Sequence, residues 1–157
     1  MELLGSRHAE RVVGTRSRRI LMSELAAVRW SEWFRWGDIA SGRIRAPRRA
    51  GVYEVRPRDQ EMRLTIGETN LLQRRVSYLV RGTGPHSAGE RIRASEDVAN
   101  VLVRWAVTER HEEVEQHLHG AHRDRFGRLP THTRRTGRAA RTTKAVRSHP
   151  ASRSTAR

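Results

Sequence analysis

The hydropathy pattern of this chain predicts a small α/β (α+β) domain built on a three-stranded antiparallel sheet flanked by helices. Three observations lead there. Residues 50–56 and 61–66 are strand-like runs joined by the turn residues Pro57, Arg58, Asp59 and Gln60. Residues 100–108 form a third run, with Val101, Val103, Trp105 and Val107 on one side of a period-two pattern. Around these lie segments whose apolar residues recur at helical spacing.

Residues 1–20 are polar and arginine-rich without a sustained period, which predicts a loosely ordered basic N-terminus. The folded domain is expected over residues 21–133. A helix is predicted over 23–36, with Ser23 as its cap, Ala26, Trp30 and Trp33 on one side, and Gly37 at its end. Three tryptophans and Phe34 in so short a stretch offer either a base-stacking platform or a docking face for the core; docking is the better reading. In the second arm of the hairpin Met62, Leu64 and Ile66 alternate with Arg63 and Thr65, so one face is expected buried and the other polar.

From Asn70 the period becomes helical, with Asn70 as cap and Leu72, Val76, Leu79 and Val80 as the apolar stripe. Arg75 lies between Leu72 and Leu79 at the edge of that stripe, where an arginine needs an anionic partner or a route to the surface. Residues 82–90 read as a loop, and 87–94 as a short helix. Residues 110–125 read as a polar helix with Val114, Leu118 and Ala121 turned inward, stopped by Gly127 and Pro130. Residues 134–157 have too few apolar side chains to offset the entropy of ordering, so they are expected to be a disordered arginine-rich tail.

Composition narrows the classes of function. With no cysteine, disulfides, thiolate zinc sites and cysteine nucleophiles are excluded. No run approaches the roughly 20 apolar residues of a membrane span, so a cytoplasmic protein with no membrane partner is expected. The net charge of +15 favours phosphate-rich partners, since neutralising a nucleic-acid backbone releases its counterions. About half of that charge lies in the tail, with seven arginines, among them Arg134, Arg135, Arg138 and Arg141, and Lys144, the only lysine of the chain.

Two glycine-marked triplets stand in the hairpin arms: Gly51-Val52-Tyr53 and, eleven residues later, Thr65-Ile66-Gly67. A helix carrying Arg75, a third strand and a helix carrying Glu115 follow. This order resembles the GIY-YIG nuclease family. Gly51, Val52 and Tyr53 match its first triplet with valine for isoleucine. Thr65, Ile66 and Gly67 match the second with threonine for tyrosine. The segment GETNLLQRRVSYL places the family's arginine at Arg75, EVEQHL places its glutamate at Glu115, and FGRLPTHT is similar to its closing segment with Thr133 for asparagine. The likeness covers about residues 50–133.

The resemblance implies a divalent-metal-dependent endonuclease acting on double-stranded or branched DNA. Glu115 would hold one Mg²⁺ or Mn²⁺, Arg75 would bridge phosphate oxygens, and Tyr53, its pKa lowered by neighbouring cations, would accept a proton from the attacking water. Independently of any family, hydrolysis of a phosphodiester needs such groups, because catalysis there is positioning plus charge stabilisation. Thr65 is too short to act as a phenol, which makes Thr65 and the loop residue His86 the auxiliary candidates. Arg74 and the tail arginines are the candidate nucleic-acid contacts, and a protein partner supplying specificity fits a domain with no second recognisable module.

Two rival readings are open. A DNA- or RNA-binding module without turnover would tolerate threonine at 65 and 133. A zinc hydrolase is suggested by His111, Glu115 and His119 on one helical stripe, but the HExxH arrangement is missing.

Overall fold

A computed structural model describes residue 23 and residues 27–83 and 88–133. The fold is α+β; among the described residues it has four complete helices and a four-stranded antiparallel sheet where three strands were expected. In chain order the elements are β1 (Phe34–Arg35), α1 (Trp36–Ala40), β2 (Gly51–Pro57), β3 (Thr65–Thr69), α2 (Leu72–Arg81), α3 (Ala88–Ser95), a 3₁₀ turn (Val98–Asn100), β4 (Val101–Val107) and α4 (His111–Phe126). The strand order is β1-β4-β2-β3, so β2 is central and β3 lies at an edge. Among the described residues no helix is long and apolar enough to cross a membrane.

The extra strand comes from the segment expected to be helical. Trp30 forms an antiparallel bridge with Ala106, the Ser31 amide donates to the Trp105 carbonyl at 2.8 Å, and Phe34 and Arg35 pair with Val103 and Leu102. Strand β4 would otherwise leave these backbone groups open on its outer edge, and aromatic residues suit a pleated surface as well as a helix, so pairing wins over local propensity. Helix α1 starts only at Trp36 and runs through Gly37; its stop is Ser41 followed by Gly42, which has a φ of +77°.

The hairpin forms, but its second strand begins at Thr65 instead of 61. The carbonyls of Arg63 and Leu64 accept hydrogen bonds from the amides of Thr131 and His132. Nor is one face of β3 polar: Thr65, Ile66 and Gly67 are all buried, because helices cover both sides of the sheet. On one face Tyr53, Val55, Val103 and Trp105 meet α1, α2 and α3 through Trp36, Leu72, Val76 and Ile92. On the other, Val52 and Ala106 meet Val114, Leu118 and Trp30.

Two termini differ in detail from the expectation. The cap of α2 is Leu71 rather than Asn70, since the amides of Leu72 and Gln73 find the carbonyls of Arg49 and Pro47. On α4 the inward residue is His122, with Ala121 exposed. His122 Nδ1 donates to the Arg128 carbonyl at 2.7 Å and its Nε2 accepts the Arg63 amide at 3.1 Å, an arrangement that needs the neutral ring; burial lowers its pKa accordingly.

Trp30 and Trp33 dock on the sheet from outside any helix, whereas Trp36 docks as the first residue of α1. Arg104 lies over Trp30 at 4.2 Å and over Trp33 at 4.5 Å, while buried Glu54 accepts from Arg104 Nε at 2.8 Å and Arg63 Nε at 3.0 Å. A carboxylate this deep is tolerated because two guanidiniums neutralise it and the indoles cover them.

Candidate active site

Tyr53 sits in the central strand directly opposite Gly67, in a register that also pairs Gly51 with Thr69 and Val55 with Thr65. The missing side chain at 67 is where the phenol lies: a Cβ there would stand 2.4 Å from the Tyr53 hydroxyl oxygen. Gly51 is needed for a different reason, since a Cβ would come within 2.1 Å of the Ala106 carbonyl oxygen of the neighbouring strand. Both triplet glycines thus serve close approach, one of a ring and one of a backbone.

Helix α2 delivers Arg75 to the same place. Arg75 Nε donates to the Tyr53 hydroxyl at 3.1 Å, which gives the arginine at the edge of the apolar stripe its partner. The phenol is 2 % exposed, and burial raises its pKa more than Arg75 lowers it. The expected cation-lowered phenol is therefore corrected: in the free protein Tyr53 is neutral at pH 7.

Glu115 enters from α4, which packs against edge strand β3. Its carboxyl is half-buried, and its pKa is raised to about 7, first by burial and then by the charge of Glu68, with Arg75 acting in the opposite direction. Tyr53 in turn feels the charges of both Glu115 and Glu68. The site thus gathers Tyr53, Arg75, Glu115 and Glu68 around edge strand β3, with α2 on one side and α4 on the other.

Glu68 was not singled out from the sequence. It pairs in register with Val52 on the α4 side of the sheet, and its carboxylate bonds His111 Nδ1. Strand alternation from Gly67 was the available signal, but it acquires meaning only when α4 is known to cover that face.

The raised Glu115 carboxyl has a consequence for stability. An ordinary glutamate releases its proton near 4.5, whereas native Glu115 holds its proton to about 7. Between those values the folded state binds more protons than the unfolded chain, so stability falls as pH rises through the window. Thermal midpoints measured across pH 4 to 8 should show this fall, and Glu115→Gln should flatten it.

Comparisons of the chain with protein-family models, curated proteins and solved structures find no match.

The other candidates fall in different places. Thr65 is 4 % exposed and lies on the Tyr53 face, two residues along the strand from Gly67. The Thr133 hydroxyl is buried without a hydrogen-bond partner. Arg74 points away from Tyr53 and donates from Nε to the Tyr78 hydroxyl at 3.2 Å. His86 and the arginines at 134, 135, 138 and 141 lie outside the described residues. The histidine stripe of the zinc reading is otherwise engaged: His111 bonds Glu68, and His119 Nε2 lies 3.3 Å from the Ile66 carbonyl. Among the described residues no three histidine or carboxylate side chains group as metal ligands.

Proposed function

We propose that this chain is a divalent-metal-dependent endonuclease that hydrolyses DNA phosphodiester bonds in a GIY-YIG-like site, with Tyr53, Arg75 and Glu115 as the reacting set. The observation that carries the reading is the Arg75–Tyr53 hydrogen bond beside a half-buried Glu115 whose charge both groups feel. A group that positions the attacking water, an anion clamp and a hard oxygen ligand are what phosphodiester hydrolysis asks for, and the +15 charge of the chain suits a polyanionic substrate.

The donor set fits one hard cation. Burial and Glu68 raise the pKa of Glu115 to about 7, and a divalent ion favours its ionised form. Mg²⁺ and Mn²⁺ prefer oxygen ligands, and Mg²⁺ keeps several waters, so one or two carboxylates suffice to hold it. Bound at Glu115, such an ion would supply Lewis-acid stabilisation of the charge that builds on the leaving 3′ oxygen.

The chain's own groups do the rest. Arg75 spends Nε on the phenol and turns its terminal N–H groups to the non-bridging phosphate oxygens. Tyr53 enters as a neutral phenol that orients the attacking water, and it accepts a proton only when added cationic charge outweighs its burial. Water attacks phosphorus, the bond to the 3′ oxygen breaks, and the products are a 5′ phosphate and a 3′ hydroxyl.

Buried Thr65 favours a second reading, a DNA- or RNA-binding module on the same scaffold, because no side chain at that position reaches out as a phenol would. Plasmid nicking separates the two. The wild type should relax supercoiled DNA with Mg²⁺ and not with EDTA, and Glu115→Ala should stop relaxation without changing the fold. Nicking that survives Glu115→Ala removes the proposed metal ligand; DNA binding with no nicking by the wild type supports the module.

A further inference from the structure

A second feature lies on the other side of α2 from Arg75. A pocket of about 420 Å³ opens between α2 and the segment that follows α1. Ile39, Ile44 and Val76 give it an apolar lining, and Arg45, Arg74 and Arg81 line it with exposed guanidiniums. No acid lines it, and among the described residues none of these three arginines is in an ion pair. Tyr78 stands in the same lining at 36 % exposure, the exposed large hydrophobic side chain of the described residues. Its hydroxyl is pinned by Arg74 Nε, which leaves the terminal N–H groups of Arg74 for an anion.

Unpaired cations around an apolar cavity, beside a fixed aromatic ring, are complementary to a ligand that is anionic at one end and flat and apolar at the other. The volume is that of a small-molecule site. A nucleotide released from base pairing has this shape and charge: its phosphates meet the arginines and its base stacks on the phenol. A paired base would keep its faces inside the duplex and could not reach the ring.

We infer that this pocket holds an unpaired nucleotide of the bound strand, so that the chain prefers DNA with single-stranded or flapped segments over uninterrupted duplex. The inference deepens the nuclease reading and rests on the chain being a nucleic-acid-acting domain. Arg74 and Arg75 are consecutive on α2, so the pocket and the proposed scissile-phosphate position lie on one helix.

The test is binding without metal, which separates it from cleavage. Fluorescence anisotropy with a labelled oligothymidine, in EDTA, is compared with an otherwise identical strand carrying abasic spacers. Tyr78→Ala should weaken the thymidine strand about tenfold, as loss of one stacked base does, and leave the abasic strand unchanged. Tyr78→Phe should bind as the wild type does. Arg45→Ala and Arg81→Ala should weaken both strands alike and lower the salt slope by about one each. Tyr78 is exposed, so melting curves should confirm an unchanged fold. Wild-type affinity of Tyr78→Ala for both strands, an equal loss on both, or no binding by the wild type overturns the inference. Tyr78-dependent binding in a chain that nicks nothing would leave the pocket standing and remove the hydrolase; nicking with Tyr78-independent binding would do the reverse.

Discussion

Arg75→Ala should lower the initial rate of plasmid nicking by about 10²–10³-fold, the usual cost of removing one preorganised charge-stabilising donor. The side chain has two tasks. Its Nε holds the Tyr53 hydroxyl, and under the proposed function its terminal groups bind the phosphate. Truncation loses both and leaves the phenol oxygen buried without its partner, which costs about 1–3 kcal/mol of stability as well. Arg75→Lys should fail to rescue the rate, because a single ammonium cannot present one donor to the phenol and a planar pair to the phosphate. The informative comparison is rate against thermal midpoint for both variants. Wild-type nicking by either one would mean that Arg75 has a packing role only, and the proposed reacting set would be lost.

Gly67→Ala should damage folding and chemistry together. The added methyl would lie 2.4 Å from the phenol oxygen and 2.5 Å from ring carbon Cζ, well inside contact distance. Tyr53 is 2 % exposed, so its ring has no free volume to retreat into. Overpacking of this kind costs about 1–3 kcal/mol, which for a domain of this size lowers the melting temperature by at least several degrees. Displacement of the ring also breaks the Arg75 hydrogen bond, so nicking should fall even at temperatures where the variant is folded. A double-mutant cycle identifies the cause: Gly67→Ala with Tyr53→Ala should be more stable than the sum of the two single losses. Gly51→Ala provides the contrast. Its clash is with the backbone oxygen of Ala106, so Tyr53→Ala should bring no relief. Additive behaviour of the Gly67 and Tyr53 changes would show that the ring does not lie over the glycine.

The segment from Trp30 to Arg35 shows where sequence reading stops. Its aromatic spacing fits a helix, and nothing local contradicts a helix; the chain is extended there because β4 has backbone groups to satisfy. Thr65 shows the same limit on a sheet: alternation suggested a polar face, but Thr65 shares the side of the sheet that α1, α2 and α3 cover and is buried there. His122 was not singled out from the sequence, yet the Arg128 carbonyl and the amide of distant Arg63 hold its ring neutral inside the domain. The family resemblance implied a Tyr53 pKa depressed by cations. The burial of Tyr53, which no linear pattern gives, has the larger effect.

What the linear chain determined was the identity and order of local elements: a hairpin with glycine at both triplets, an amphipathic helix presenting Arg75 at its edge, a strand rich in valine, and a helix ended by Gly127 in the left-handed conformation. Those follow from short-range sterics and from the period of apolar side chains, which act within a few residues. Only the tertiary structure decided that Tyr53 and Arg75 share a hydrogen bond, that Glu68 joins Glu115, and that three arginines with no ion pair among the described residues surround a pocket beside Tyr78. The physical reason is that burial, charge coupling and cavity shape are set by residues tens of positions apart, brought together when two faces of one sheet are covered by different helices.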